Sequence, residues 1–244
     1  MVKSLIIWLG LAIPVLAASL DELTFITEQY PPFNYERDGE VQGLSVAVFA
    51  ALLQHTGSTM TTADVQVLPW ARGYETVQAR PNTVLFSTIR TEARESLFKW
   101  VGPITPDRIV LLARQGQDIE LPSIAHLNES NLKTVVIRRD IGEQRLQEAG
   151  VNPERIRTAS ANRSALDMLA QGRVDLWAYG EEAAYWLAAE NGYAAEDFKA
   201  VYVLSEDHLY FALHPDTDDA LVAAMQSALD ELHANGAIAD IMRR

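Results

Sequence analysis

The chain has no cysteine among its 244 residues. Disulfide bridges, zinc–thiolate sites and thiolate nucleophiles are therefore excluded. Histidine is also rare, and the five histidines are too scattered to form a metal-binding motif such as HExxH. We therefore expect no metal site, and the fold must be stabilised by its packed core.

The sequence also lacks the motifs of several enzyme classes. It contains no GxSxG elbow, no glycine-rich phosphate loop and no dinucleotide-binding fingerprint. Paired carboxylates occur at Glu181 and Glu182, but they open a predicted helix, where negative charge is favourable near the positive end of the helix dipole. No residue is a clear candidate for catalysis, so we expect a protein that is not an enzyme and uses no cofactor.

Positive charge is scarce in this chain. Lysine and arginine total 20 residues against 33 aspartates and glutamates, which gives a formal net charge of −13. An acidic surface argues against nucleic acid and anionic membranes as partners. A local cluster of arginines is therefore more informative here than in a basic protein.

The N-terminus has the pattern of a secretory signal. Lys3 precedes an apolar run over residues 4–16, and Val15 and Ala17 have the small-residue spacing of a cleavage site. The run is too short to span a membrane comfortably, and a buried N-terminal helix is the alternative. We expect a signal peptide over residues 1–18 and a mature protein in the periplasm.

The rest of the chain alternates between predicted strands and helices, which is typical of parallel α/β sheets. In the first hundred residues the order is strand, helix, strand, helix, strand, and the same pattern returns between about 115 and 200. The segment AVYVLSEDHLYFALHP predicts two further strands, and an amphipathic helix follows that ends at Gly236. Two extended segments, near 105–113 and 203–213, are placed to cross between the two units.

This organisation predicts two α/β lobes, each a mostly parallel sheet flanked by helices, joined by two extended crossings. The first lobe is expected to contain residues 19–106 and 205–244. The second lobe is expected to contain residues 107–204.

Three predicted strands of the first lobe end in side chains suited to binding. Ligands bind at the carboxyl ends of parallel strands, and these ends supply aromatic rings, hydroxyls and guanidinium groups. The candidates are Tyr30 and Phe33 in YPPF, Trp70 and Arg72 in PWARGY, and Ser87, Arg90 and Arg94 in STIRTEAR.

A guanidinium group holds a carboxylate through two parallel hydrogen bonds, so this convergence indicates an anion site. The alternatives are ordinary loop packing for the aromatic residues and pairing of Arg90 and Arg94 with Glu92 and Glu95 on an exposed turn.

Four longer stretches resemble the family 3 extracellular solute-binding proteins of bacterial amino-acid ABC transporters. These stretches cover residues 28–57, 87–104, 169–187 and 228–242. They read EQYPPFNYERDGEVQGLSVAVFAALLQHTG, STIRTEARESLFKWVGPI, LAQGRVDLWAYGEEAAYWL and ALDELHANGAIADIM. PWARGY and FKWVGP look like a branch distinct from the best-known amino-acid binders. The resemblance implies a two-lobed periplasmic binding protein-like II fold that closes on its ligand by a hinge.

The resemblance also implies roles for single residues. Tyr30 matches the aromatic residue that covers the ligand, and Trp70 matches the residue that packs against the ligand side chain. Ser87 matches a ligand contact of the first lobe, and Arg94 matches the arginine that binds the α-carboxylate. Asp140 falls near a second-lobe position that helps to hold this carboxylate. Trp177, on the strand before Gly180, completes the predicted ligand-binding set.

Two positions depart from the pattern that the resemblance implies. Ile89 replaces a second hydroxyl contact, and Gly180 stands where an acidic residue usually binds the α-ammonium group. Glu182 is the nearest replacement and Asp140 the second.

We therefore expect a monomeric periplasmic protein that captures a small carboxylate-bearing polar solute, with amino acids first, for an ABC permease. The alternative is an enzyme of the same fold, similar to cyclohexadienyl dehydratases, in which Glu181 or Glu182 acts as general acid. A sensory module is a third interpretation.

Overall fold

A computed structural model describes residues 19–243. The predicted signal peptide over residues 1–18 lies outside the described residues. Within residues 19–243, no helix combines the length and the apolar character that crossing a membrane requires.

The first part of the chain forms the predicted strand and helix alternation, with one additional hairpin. Its elements are β1 Thr24–Thr27, β2 Tyr35–Arg37, β3 Glu40–Gln42, α1 Leu44–Thr56, β4 Gln66–Val67, α2 Trp70–Ala79 and β5 Thr83–Ile89. Short 3-10 helices lie at Leu20–Glu22, Thr62–Asp64 and Glu92–Leu97.

The remainder of the chain contains the second α/β unit and a return to the first. Its elements are β6 Lys99–Arg114, α3 His126–Glu129, β7 Thr134–Ile137, α4 Ile141–Glu148, β8 Ile156–Ala159, α5 Asn162–Ala170, β9 Leu176–Gly180, α6 Glu181–Glu190, β10 Phe198–Leu213, α7 Asp219–Ala234 and α8 Ala237–Met242. Two more 3-10 helices lie at Pro153–Arg155 and Ala195–Asp197.

Eight strands form one sheet in the order β4-β1-β5-β10-β6-β9-β7-β8. At one end β1 pairs in parallel with β4 and β5, and at the other end β7 pairs in parallel with β8 and β9. Between them β6 and β10 pair with each other in antiparallel register along almost their whole length. The predicted architecture of two α/β lobes joined by two crossing strands is confirmed, whereas the exact lobe boundaries remain a prediction.

The segment after residue 197 differs from the prediction of two strands. It forms one strand of 16 residues, β10, whose pairing with β6 shifts register at three places. Such irregularities add a residue without ending the ladder, so a polar stretch at Ser205, Glu206 and Asp207 stays paired while the strand crosses between the lobes. The short helix α8 after Gly236 was also not predicted.

The β2–β3 hairpin was missed, although the sequence contains a signal for it. Asp38 and Gly39 form the two-residue turn, and both have positive φ angles of 55° and 80°. An Asp-Gly pair with positive φ at both positions is typical of tight hairpin turns.

The first-lobe core contains a cluster of phenylalanines that fixes α1 against the sheet. The ring of Phe49 on α1 lies 4.5 Å from the ring of Phe25 and 5.5 Å from that of Phe86, and Phe86 lies 5.7 Å from Phe211. All four side chains are 0–1% exposed. Burial of such a side chain contributes about 1.5–3 kcal/mol, so this packing holds the strand ends that carry the candidate site.

The two lobes contact each other across a cleft beside the crossing strands. Asn162 Nδ2 at the start of α5 donates to the Gln29 carbonyl at 2.6 Å. Gln144 Nε2 on α4 donates to Thr91 Oγ1 at 2.9 Å. The lobes are therefore closed on each other in this conformation.

Candidate functional site

The structure brings five of the predicted site residues together around one small cavity between the lobes. They are Tyr30, Trp70, Ser87, Arg94 and Asp140. The wall of this cavity is completed by Glu28, Ile89, Asp107, Ile141 and Leu209. The volume of this inner cavity is about 10 Å³, which is close to the minimum that holds one water molecule.

Arg94 lies buried in the inner cavity wall, and it is 3% exposed. Its guanidinium carbon is 5.6 Å from the centre of the Trp70 ring and 5.3 Å from that of Tyr74. It donates to the Ile89 carbonyl at 3.1 Å and to the Arg139 carbonyl at 3.3 Å. A guanidinium has five N–H donors, so Arg94 retains donors for an anion.

Three buried carboxylates, Glu28, Asp107 and Asp140, share the cavity with this one guanidinium. Their exposed fractions are 7%, 6% and 8%. Among residues 19–243, neither Arg94 nor any of the three carboxylates forms an ion pair within 4.0 Å. Buried charges without a partner are costly, so the cavity favours a ligand that brings opposite charges of its own.

Burial changes the pKa values of these groups. It raises the pKa of Asp107 to about 7 and that of Asp140 to about 6. It raises the pKa of Glu28 well above its ordinary value, and the negative charge of Asp140 adds to this effect. Burial also lowers the pKa of Arg94. In each case the low dielectric disfavours the charged form.

Tyr30 links the first lobe to the crossing strand β6. Its hydroxyl donates to Asp107 Oδ2 at 2.6 Å, and the backbone N–H of Arg108 donates to Asp107 Oδ1 at 2.9 Å. The Tyr30 ring stacks on Phe33 at 5.5 Å and meets the edge of Tyr179 at 5.3 Å. Tyr30 therefore holds the Asp107 carboxylate in one orientation.

Gly180 allows Tyr30 to occupy this place. A Cβ atom at position 180 would lie 1.8 Å from Tyr30 Oη, far inside van der Waals contact. An acidic side chain at position 180, which the resemblance implied, is incompatible with this position of Tyr30.

Ser87 lies in an unusual backbone conformation at the end of β5. Its φ angle is 63°, and it lies between two residue pairs of the β5–β10 ladder, Phe86 with Phe211 and Thr88 with Tyr210. Non-glycine residues adopt this conformation rarely, and it is often found at functional sites. The Ser87 hydroxyl and the Trp70 indole N–H are buried without a hydrogen-bond partner among the described residues, so both remain available to a ligand.

The two other predicted arginines lie outside the inner cavity. Arg72 is exposed on α2, because two helical residues after Trp70 correspond to about 200° around the helix. Arg90 forms a bidentate ion pair with Glu95, with distances of 2.7 and 2.5 Å, as the alternative interpretation of this segment allowed.

Three more predicted contacts are placed around the cavity rather than in its wall. Phe33 stacks on Tyr30, and Trp177 stacks on Tyr179 with 4.5 Å between the ring centres. Neither Phe33 nor Trp177 lines the inner cavity. Glu182 is exposed and lines a separate cavity of about 650 Å³ on the hinge side of Asp107.

Glu28, Tyr74 and Asp107 were not predicted. Glu28 directly follows β1, so the strand-end rule that found Tyr30 applies to it as well. Tyr74 lies one helical turn after Trp70. Asp107 gives no signal, because an adjacent pair of opposite charges, Asp107 and Arg108, is typical of an exposed position in an extended segment.

An outer cavity of about 460 Å³ opens beside the inner one. It shares Glu28 and Trp70 with the inner cavity, and much of its wall is apolar. The apolar part of this wall includes Val67, Leu68, Pro69, Ile137 and Leu187.

The family model of the bacterial extracellular solute-binding proteins, family 3, matches residues 23–244. The chain belongs to this family. The predicted family is therefore confirmed, and the family comprises extracellular binding proteins.

Solved structures confirm the fold of this family 3 protein. A histidine kinase sensor domain with similarity to periplasmic binding proteins is 19% identical, with a TM-score of 0.79 and coverage of 90% of this chain and 94% of that one. The arginine-, lysine-, histidine-binding protein ArtJ from the thermophilic bacterium Geobacillus stearothermophilus is 16% identical, with a TM-score of 0.74 and coverage of 91% and 94%.

A third similar structure is the ancestral amino acid-binding protein AncCDT-1, a precursor of cyclohexadienyl dehydratase. It is 21% identical, with a TM-score of 0.72 and coverage of 93% and 98%. The comparison with curated proteins gives no match.

Gly180→Ala tests the packing between Tyr30 and β9. The added methyl group would lie 1.8 Å from Tyr30 Oη, so we expect the loss of about 1–3 kcal/mol of unfolding free energy that overpacking usually causes. Urea denaturation measures this loss. In a Tyr30→Phe background, which lacks Oη, the same substitution should cost less, and an equal cost in both backgrounds would contradict the assigned contact.

The carboxyl groups of the inner cavity predict that the protein without solute becomes less stable as the pH rises. Burial raises the pKa of Asp107 from 3.8 to about 7, so between these values the native state binds more protons than the unfolded chain. At pH 8, Asp107→Asn should therefore increase the unfolding free energy by on the order of 1–4 kcal/mol, since a pKa difference of one corresponds to about 1.4 kcal/mol.

The increase should disappear below about pH 3, where the carboxyl group is protonated in both states of the wild type, because this pH lies below both pKa values. Thermal unfolding of both proteins across this pH range measures it. A stability difference that does not change with pH would rule out the charge of Asp107 as its cause.

Proposed function

We propose that this protein captures a small polar solute with a carboxylate group in the periplasm and delivers it to an ABC permease. Amino acids are the first candidates. The observation that carries the proposal is the buried Arg94, which lies against the rings of Trp70 and Tyr74 and has no carboxylate partner among residues 19–243. Family membership supports the binding role.

The inner cavity supplies suitable donors for a carboxylate. The remaining N–H groups of Arg94 can donate in pairs to its two oxygens, and the unpartnered hydroxyl of Ser87 lines the same wall. Trp70 offers an aromatic surface that continues into the outer cavity. The outer cavity therefore has the position and the apolar lining to hold the rest of the solute.

Binding requires the lobes to separate and close again. The inner cavity of about 10 Å³ is too small for a carboxylate with its attached carbon chain. Contacts that bridge the cleft, such as the ion pair between Arg139 and Glu75 at 2.6 Å, must part for the solute to enter. A solute favours closure only by binding the closed form more tightly than the open form. We propose a monomer that works in this way.

The positions of Glu181 and Glu182 do not favour the enzyme alternative. Glu181 and Glu182, its proposed general acids, line the hinge-side cavity rather than the inner one. Glu181 is also held by Arg108 in an ion pair of 2.5 Å. Turnover of prephenate or arogenate by the purified protein would restore this alternative.

Arg94→Gln should weaken solute binding by roughly 2–5 kcal/mol, the usual loss when one partner of a buried charge pair is removed. The solute for this test is the amino acid or organic acid that gives the largest increase in melting temperature in a screen, and titration calorimetry measures its affinity. Arg90→Gln is the matched control, because Arg90 pairs with Glu95 outside the cavity. Equal affinities of wild type and Arg94→Gln would contradict the proposed carboxylate contact.

Lobe closure should be visible as a change in size. We expect small-angle scattering of the wild type to give a smaller radius of gyration with saturating solute than without it, because the solute joins groups of both lobes. Glu75→Gln removes a bridging ion pair that does not line the inner cavity and should, if anything, enlarge this change. A radius that stays the same in both proteins would argue against hinge closure.

A further inference from the structure

We propose that the solute also carries a protonated amine and that Asp107, on the crossing strand β6, binds this amine. The inference rests on the proposed function, since it concerns the same cavity. It assigns the recognition of the amine, and with it a specificity-determining role, to a residue that the sequence pattern did not indicate.

The first argument is the balance of charge in the inner cavity. Its wall contains one guanidinium group, from Arg94, and three carboxylates, from Glu28, Asp107 and Asp140. A solute with a carboxylate alone would satisfy Arg94 and add a further negative charge to an already acidic cavity. A solute that also carries an amine supplies the cation that the carboxylates lack.

The second argument distinguishes Asp107 from the other two carboxylates. Asp140 caps helix α4 by accepting the Ile141 N–H at 2.7 Å, and it lies near enough to Arg94 for the guanidinium to lower its pKa. Glu28 lies at the boundary with the outer cavity. Asp107 receives hydrogen bonds only from neutral donors, the Tyr30 hydroxyl and the Arg108 N–H, so its negative charge has no cation beside it.

The third argument compares Asp107 with the aspartate that faces it across the two crossing strands. Asp107 pairs in register with Asp207 on β10. Asp207 is compensated by Arg145, which reaches its two oxygens at 3.1 and 3.0 Å. The two aspartates thus have similar backbone positions, but only Asp107 opens onto the inner cavity and only Asp207 has an arginine partner.

The fourth argument concerns the space beside Gly180. Ile109 on β6 pairs in register with Gly180 on β9. Asp107 lies two residues before Ile109, on the same face of the strand and about 7 Å along it. Tyr30 fills the space above Gly180 and donates to Asp107. The carboxylate of Asp107 on the neighbouring strand therefore lies next to the Tyr30 hydroxyl, beside the region that a side chain at position 180 cannot enter.

The test compares compounds that differ only in the amine. Each of the twenty common amino acids and its des-amino carboxylate analogue are compared by thermal shift, and titration calorimetry then measures the affinities of the pair with the largest shift. We expect the wild type to prefer the amino acid by at least tenfold, about 1.4 kcal/mol. A des-amino analogue that binds as tightly as its amino acid would overturn the proposal without the use of any variant.

Asp107→Asn keeps an oxygen acceptor for Tyr30 and removes the charge. We expect this variant to lose the preference for the amino acid, because it no longer supplies a negative charge for the amine, while the des-amino analogue binds at least as tightly as to the wild type. Glu28→Gln is the matched control inside the cavity, and Asp207→Asn is the control on the facing strand. A tenfold preference that survives in Asp107→Asn but disappears in Glu28→Gln would overturn the assignment to Asp107.

The same measurements separate this inference from the proposed function. Arg94→Gln should weaken both members of the pair by a similar factor, because both carry the carboxylate. If Arg94→Gln leaves both affinities unchanged while Asp107→Asn abolishes the preference, the carboxylate contact fails and the amine contact stands. If Arg94→Gln weakens both compounds and the wild type shows no preference, the carboxylate contact stands and the amine contact fails.

Discussion

The burial of unpaired charge is the constraint on which the rest of the structure depends. Arg94, Glu28, Asp107 and Asp140 are each at least nine-tenths buried and have no ion pair among residues 19–243. Desolvation costs several kcal/mol for each such ion, a large amount against the net stability of a typical domain. At neutral pH this cost favours protonation of the carboxylates, binding of a solute or opening of the lobes. The raised carboxyl pKa values and the proposed hinge movement are two responses to the same constraint.

If the cleft opens as proposed, the core of each lobe must be stable without help from the contacts across the cleft. The phenylalanine cluster of the first lobe and a separate set of fully buried residues in the second, including Leu111, Val136 and Leu176, meet this requirement. Several contacts that bridge the cleft, those of Asn162, Gln144 and Arg139, are polar and part-buried or exposed. Tyr30 adds one buried contact, with Tyr179 and Gly180. Exposed ion pairs contribute little free energy each, so they can break at small cost while the lobes remain folded. This division allows solute binding to use a conformational change that does not unfold the protein.

The sequence predicted those parts of the site that follow from parallel strand topology. Tyr30, Trp70 and Arg94 come after β1, β4 and β5, Ser87 lies in the last part of β5, and strand ends of one parallel unit meet at one edge. The choice between Arg90 and Arg94 depended on local geometry that the spacing did not reveal. Four residues apart on an α-helix they would share a face, but the chain is extended up to Thr91 and then forms a 3-10 helix, so the two side chains diverge. Asp107 could not be predicted, because its surroundings are created by pairing of β6 with residues about a hundred positions later.

The position of Asp107 on a crossing strand has a consequence for the order of binding events. When two lobes rotate about their connecting strands, a residue on those strands moves less than one at the far side of a lobe. An amine bound by Asp107 would therefore make its contact in the open form as well as in the closed form, and would add affinity without favouring closure. Closure would then depend on contacts that form only when the lobes meet, such as those of Asp140 and Ile141 at the start of α4 with a solute held on Arg94. In this arrangement the crossing strand selects which solute is retained, and the second lobe determines whether the cleft closes on it.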